Sequence, residues 1–73
     1  MMTTLNEVKN RREENVKKGG NTYLFPTKKL NDWYQDELLF VRDVVNETVI
    51  VFRAFDGQQY TLKAEALVDF KLI

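Results

Sequence analysis

The feature that most constrains this chain is the pair Asp56-Gly57, which stands between two β-prone runs. An Asp-Gly pair between such runs is a strong signal for a β-hairpin, because Gly readily adopts the positive φ that a tight turn requires. The run before it, residues 48–55 (TVIVFRAF), is the most β-prone in the chain, and residues 58–63 (QQYTLK) follow. The pattern predicts two adjacent antiparallel strands.

Further strands are predicted on both sides of this hairpin. Residues 37–45 (ELLFVRDVV) precede it across an Asn46-Glu47 turn, so residues 37–63 form a meander of three strands. Residues 64–67 are too few for a stable helix and predict a 3₁₀ turn. Residues 68–73 (VDFKLI) alternate as a last strand, and residues 23–25 form a short strand that ends at Pro26. Residues 27–34 are interpreted as a loop or a single helical turn.

The N-terminal segment predicts one polar helix. Thr4 and Glu7 have the spacing of a capping box, in which the Thr hydroxyl accepts from the Glu N–H and the Glu side chain reaches back. Good helix formers continue to Lys18, and Gly19-Gly20 is a natural C-terminal stop. The apolar stripe is thin, so the helix is expected to pack along one edge and to stay mostly solvated.

These elements indicate a single domain, residues 1–73, of mainly β structure. Residues 1–20 form the helix and its cap, and residues 21–73 form a small five-stranded SH3-like barrel with an antiparallel meander. The interior of such a barrel holds side chains and leaves no ligand cavity. A chain of 73 residues buries only about 60% of the surface that its unfolded state exposes. Since Cys and His are both absent, disulfides are excluded and a zinc site is not expected, whereas carboxylate sites for Mg²⁺ or Ca²⁺ stay open. Oligomerisation is the stabiliser left.

Composition also narrows the function. Three glycines are too few for the phosphate-binding glycine motifs, and no nucleophile–base pair is evident, so we expect neither an enzyme nor a cofactor. Residues 1–35 carry seven Lys or Arg against four Asp or Glu, a net charge of +3, and residues 36–73 carry four against seven, or −3. The N-terminus lacks the apolar core of a signal peptide, and no run is long enough to span a membrane, which favours a cytoplasmic protein without membrane contact.

The layout of a polar helix, five strands and a short turn before the last strand resembles the Sm/LSm (Hfq-like) family. The resemblance covers nearly the whole chain and is nearest at residues 60–67 (YTLKAEAL). It implies a ring of identical subunits that binds single-stranded RNA or another nucleic acid in RNA or DNA processing or chaperoning. Tudor and KOW domains share the SH3-like barrel but usually lack the N-terminal helix.

The resemblance also implies particular residues. Lys63 falls at the position of the pore lysine, and Asp43 and Asn46 are the candidate base-contacting pair. The chain departs from the family pattern in three places. Ala64 and Glu65 stand where Hfq-like proteins have a histidine, the glycine of the second strand is missing, and the spacing from Asp43 to Asn46 is shorter than usual. Taken alone, Lys63 and Asn46 would be ordinary surface residues.

In Sm rings the last strand of one subunit pairs with the fourth strand of the next. Here that interface would be formed by Tyr60, Leu62, Val68, Phe70 and Leu72. An exposed strand edge is a template for association. The alternative is that residues 68–73 only complete their own barrel.

Aromatic residues are the last candidates. Phe40, Phe52, Phe70 and one of Phe55 or Tyr60 are expected in the core. A second cluster (Tyr23, Phe25, Trp33 and Tyr34) lies near Lys28 and Lys29, where rings beside cations suit base stacking. The rings suit a protein partner equally well, which gives the alternative function of a small adaptor or inhibitor without a nucleic-acid role. Packing under the N-terminal helix is the interpretation that requires no ligand.

Overall fold

The computed structural model describes residues 3–31 and 33–73. Met1 and Met2 of the predicted domain, and Asp32 of the predicted loop, lie outside the described residues. The chain forms helix α1 (Leu5–Lys17) and strands β1 (Thr22–Pro26), β2 (Leu39–Val45), β3 (Thr48–Arg53), β4 (Gln59–Lys63) and β5 (Phe70–Leu72). A 3₁₀ helix (Ala64–Asp69) connects β4 to β5.

The predicted helix and its cap are confirmed. The Thr4 hydroxyl accepts from the Glu7 N–H at 3.2 Å, and the helix ends before Gly19, whose φ is +74°. Only Val8 is fully buried on α1, as expected from the thin apolar stripe. Arg11 donates to the Ile73 carbonyl at 2.5 Å, so side chains of α1 also hold the end of the chain.

The five strands form one antiparallel sheet in the order β4-β3-β2-β1-β5. The meander β2-β3-β4 is confirmed, with Val45 opposite Thr48 across the first turn and Phe52 opposite Gln59 at the second. The last strand is shorter than predicted, because Val68 and Asp69 belong to the 3₁₀ helix.

The five antiparallel strands are those of the predicted barrel, but the sheet is not closed, because β4 and β5 are its two free ends. The sheet is nevertheless curled. Lys63, at the end of β4, lies at the same level as Val45, the last residue of β2. Phe70, at the start of β5, pairs with Pro26, which lies beyond the first residue of β2. In a flat sheet these two ends would be roughly 30 Å apart, whereas a 3₁₀ helix of six residues is about 12 Å long. The curl lets this short connection reach from β4 to β5 without closing the hydrogen-bonded ladder.

The core lies on the inner side of the curl. It contains residues from α1, from the loop before β2, from the strands and from the 3₁₀ helix: Val8, Leu24, Trp33, Leu39, Val41, Val49, Val51, Leu62, Leu67 and Phe70. Phe70 is buried as predicted. Phe40 and Phe52 are half-buried on the opposite face, and Phe55 is 86% exposed. Of the two alternative core residues, Phe55 and Tyr60, it is therefore Tyr60 that packs against the core.

Pro26 stands in a strand that has neighbours on both sides. Hydrogen bonds between Thr27 and Asp69 and between Ile73 and Tyr23 set an alternation that turns the Pro26 nitrogen away from β5. Pairing of β1 with β2 stops at Leu24, so the missing N–H breaks no ladder bond.

Candidate functional site

The turn between β2 and β3 meets the end of β4 at one end of the sheet. Thr48 pairs with Lys63, and the Ala64 N–H donates to the Glu47 carbonyl at 3.1 Å. Asn46, the first turn residue, has a φ of +56°, a left-handed conformation that Asn tolerates better than most residues. The structure therefore brings two predicted candidates, Asn46 and Lys63, to one exposed surface. We call this surface, formed by residues 46–47 and 63–64, the turn end.

Asp43 lies near the turn end but is bound to the helix. The register of β2 and β3 shifts between Val41 and Asp43, as in a β-bulge. The Asp43 carboxylate accepts from the Val44 N–H at 2.8 Å and lies 3.6 Å from the Arg12 guanidinium. Arg12 also donates to the Arg42 carbonyl at 3.1 Å. Asp43 thus serves to position α1 on the sheet.

Lys28 and Lys29 lie at the opposite end of the sheet. They follow β1, which runs away from the turn end, and Lys28 forms an exposed ion pair with Asp69 at 3.4 Å. We call this end, with residues 27–31 and 33–38 and the hairpin residues 54–58, the loop end. The five predicted nucleic-acid residues therefore form two separate groups and not one site.

The loop end holds a pocket of about 320 Å³ lined by Lys29, Leu30, Asn31, Trp33, Tyr34 and Arg53. Trp33 is only 8% exposed and packs edge-on against Tyr60 and Phe70, with ring centroids 4.7 and 6.1 Å away. Trp33 is a buried packing residue, but its ring contacts are with Tyr60 of β4 and Phe70 of β5, so packing of the cluster under the helix is not confirmed. Tyr34 beside it is exposed.

Arg53 organises this end of the molecule. Its guanidinium lies 4.7 Å from the centre of the Trp33 ring and 5.2 Å from that of Tyr60. Its Nε donates to the Glu37 carboxylate at 2.7 Å, and Asp56 lies 3.5 Å away. Glu37 also accepts from the Tyr34 N–H at 2.6 Å. These contacts fasten the loop before β2 to the end of β3.

Electrostatics keep Arg53 charged. Burial lowers the pKa of Arg53, but the hydrogen bond and the negative charge of Glu37 more than offset it, so the pKa is raised above its usual value. Sequence reasoning missed this residue. Alternation puts Arg53 on the same face as Val49 and Val51, but because β3 is apolar on both faces, the sequence does not show that this face is the core.

The five residues predicted to form the interface between subunits differ in how deeply they are buried. Leu62 and Phe70 are buried, Tyr60 and Leu72 pack against the core, and Val68 is exposed. At the two edges, the side chains of Leu62 and Phe70 are therefore already covered, and association there depends mainly on backbone groups.

The hydrogen-bond alternation shows which backbone groups of β4 point away from β3. Arg53 donates to the Gln58 carbonyl and Ala64 donates to the Glu47 carbonyl. In an antiparallel ladder, bonded and non-bonded pairs alternate. The residues of β4 whose N–H and C=O point away from β3 are therefore Gln59, Thr61 and Lys63.

Exposed apolar side chains also gather at the loop end. Tyr34, Leu38 and Phe55 are all exposed. The Ala54 N–H donates to the Leu38 carbonyl at 3.0 Å, which places Leu38 next to the hairpin that carries Phe55. We call these three residues the loop-end patch.

In residues 3–31 and 33–73, no group of three or more acidic side chains is arranged to hold a metal ion. No helix in the same part of the chain is both long and apolar enough to cross a membrane. Comparison with models of known protein families, with curated proteins and with solved structures finds no match.

Proposed function

We propose that the protein is an Sm-like subunit that assembles into a ring and binds single-stranded nucleic acid, with single-stranded RNA as the first expected ligand. The observation that carries this proposal is the strand order β4-β3-β2-β1-β5, which leaves β4 and β5 as two unlike edges of one sheet. This order suits the pairing between fourth and last strands that the Sm/LSm resemblance implies.

Edge pairing of this kind has a defined symmetry. Because β4 and β5 are different surfaces, contact between them is head-to-tail, and a head-to-tail interface closes into a ring when the rotation per subunit allows it. The N–H and C=O groups of Gln59 and Thr61 and the N–H of Lys63 supply hydrogen-bonding positions on β4, whereas the Lys63 carbonyl caps the 3₁₀ helix. The need of a small domain for additional stabilisation favours assembly as well.

The turn end is the proposed contact for nucleic acid. Lys63 is exposed and carries a cation suited to a phosphate, and Asn46 offers an amide suited to a base edge. A ring would repeat this pair once per subunit around its axis. Glu47 and Glu65 reduce the positive charge nearby, so we expect modest affinity with a measurable salt dependence.

Absolute mass in solution, from size-exclusion chromatography with light scattering, is the first test. The subunit mass is 8.6 kDa, and we expect a discrete multiple of about five to eight subunits, as a closed head-to-tail assembly requires. Thr61→Pro should reduce the mass to one subunit, because proline removes an outward N–H but no bond to β3. Thr61→Val, which keeps the N–H, is the matched control. A monomeric wild-type protein would exclude the ring.

Nucleic-acid binding is tested with fluorescently labelled oligo-U and oligo-A over a range of salt concentrations. Lys63→Ala should weaken binding and reduce the slope of log K against log salt by about 1. Asn46→Gly keeps the positive φ and removes only the amide, so it should alter the preference between the oligonucleotides at unchanged stability. Lys18→Ala, at the exposed end of α1, is the control. Equal losses for Lys18→Ala and Lys63→Ala would remove the turn end from the proposal.

The loop-end patch favours a second function, a module for protein interaction. Aromatic residues are frequent anchors in protein interfaces, and Phe55 at a hairpin tip is 86% exposed. This function predicts a partner that is captured by the wild-type protein, is lost with Phe55→Ser and is retained with Lys63→Ala. Binding of RNA without any such partner would count against this second function, and the mass in solution would still decide about the ring.

A further inference from the structure

The outer face of the sheet, opposite the core, carries a row of aromatic rings. Tyr23, Phe40 and Phe52 stand directly opposite one another on β1, β2 and β3. The ring centroids of Tyr23 and Phe40 are 5.9 Å apart and edge-on. Those of Phe40 and Phe52 are 6.4 Å apart with planes only 16° from parallel. All three side chains are half-buried, so each ring remains partly accessible.

A cation is fixed at the end of this row. The Arg42 guanidinium lies 5.6 Å from the centre of the Phe52 ring, and Arg42 donates to the Gln59 side chain at 3.0 Å. These two contacts hold the guanidinium at the edge of the aromatic row.

The outer face of the sheet carries a net positive charge, although the net charge of the whole chain is zero. The outward positions of the five strands carry the cations Arg42, Lys63 and Lys71. The one carboxylate on these outward positions is Asp43, which Arg12 already neutralises in part. Aromatic faces among cations attract an anionic partner that presents flat π systems.

Single-stranded nucleic acid is the partner class that has both properties. Its bases stack on aromatic rings without much regard to sequence, and its phosphates pair with Lys and Arg. A protein partner would use the rings but not the cations, unless it were acidic.

We propose that the outer sheet face is a base-stacking platform for single-stranded nucleic acid. Tyr23, Phe40 and Phe52 stack the bases, and Arg42 and Lys71 bind the phosphates. The proposal shares its ligand class with the proposed function but does not require a ring, because each subunit carries a whole platform.

The test compares two probes, a ten-nucleotide oligo-U and an abasic strand of the same length and charge. Phe52→Leu keeps an apolar side chain on the strand and removes only the ring. We expect it to weaken oligo-U binding by roughly tenfold, the usual cost of one lost stack, and to leave the abasic strand unchanged. Phe55→Leu, which removes an exposed ring at the loop end, is the matched control and should change neither.

A second measurement needs no substitution in the row. Oligo-U is titrated into the ¹⁵N-labelled Thr61→Pro variant, and its amide shifts are mapped. Shifts over Tyr23, Phe40 and Phe52 support the platform in a subunit that has lost the proposed edge pairing. Shifts confined to residues 46–47 and 63–64 overturn the platform and leave the turn end as the contact. Equal affinity for oligo-U and the abasic strand also overturns it, whatever the mass of the wild-type protein.

Discussion

Arg53 is the residue on which the loop end depends. A guanidinium that contacts two rings and a carboxylate uses each of its binding modes at once: stacking, cation–π attraction and a paired hydrogen bond. Its side chain is 13% exposed and that of Glu37 is 10% exposed, so water screens the pair only weakly. The described residues of the loop before β2, 27–31 and 33–38, form neither helix nor strand, so this pair is expected to hold the loop in position.

Replacing Glu37 by Gln tests this dependence. The substitution keeps the size of the side chain but leaves the Arg53 charge poorly compensated, so we expect a loss of about 2 kcal/mol in the free energy of unfolding. Urea denaturation measures the change. Glu13→Gln on the exposed surface of α1 should stay within about 0.5 kcal/mol of the wild type. Equal midpoints for the two variants would show that Glu37 does not hold the loop.

At the scale of elements, α1 is attached by a few specific contacts and little apolar area. Val8 is its only fully buried residue. Arg11 and Arg12 reach backbone carbonyls of Ile73 and Arg42, and Asn15 donates to the Thr22 hydroxyl at 2.9 Å. These long polar side chains explain why a helix with a thin apolar stripe still has one defined position.

Because packing contributes little to this helix, its N-cap should matter. Thr4→Ala removes the acceptor for the Glu7 N–H and should cost about 1 kcal/mol of stability, whereas Thr4→Ser should cost much less. Hydrogen exchange of the α1 amides resolves where the effect lies. Faster exchange in the first turn of α1 with an unchanged sheet is the expected result, and uniform acceleration through the sheet would contradict it.

At the scale of the whole molecule, the open edges and the small size lead to one expectation. An assembly is stabilised by mass action, so its melting temperature depends on protein concentration. We expect the wild-type melting temperature to rise when the concentration is raised from 5 to about 500 μM, a hundredfold range of subunit concentration. Thr61→Pro should melt at the same temperature throughout that range. A wild-type protein with no concentration dependence would indicate that both edges stay unpaired.

Local sequence patterns predicted well which helix, strands and turns form, but less well which face of each strand lies in the core. The cap at Thr4, the Asn46-Glu47 turn and the Asp56-Gly57 hairpin each depend on neighbouring residues, and all three form. The loop of the hairpin spans residues 54–58, however, so the strands on both sides of it are shorter than predicted. Phe40 and Phe52 were misplaced because β2 and β3 are apolar on both faces. Alternation separates Leu39 and Val41 from Phe40 without saying which side faces the core.

The sequence by itself determined what depends on short-range chemistry: one polar helix, a meander, a 3₁₀ connection and the absence of disulfides. Tertiary structure decided what depends on distant residues meeting. It set the curl that stops short of a closed barrel, because the length of the 3₁₀ helix must match the distance from β4 to β5. It separated Lys28 and Lys29 from Asn46 and Lys63, because antiparallel strands put alternate connections at opposite ends. It also joined Arg53 to Glu37, since sixteen positions of chain separate a charge from the partner that makes its burial tolerable.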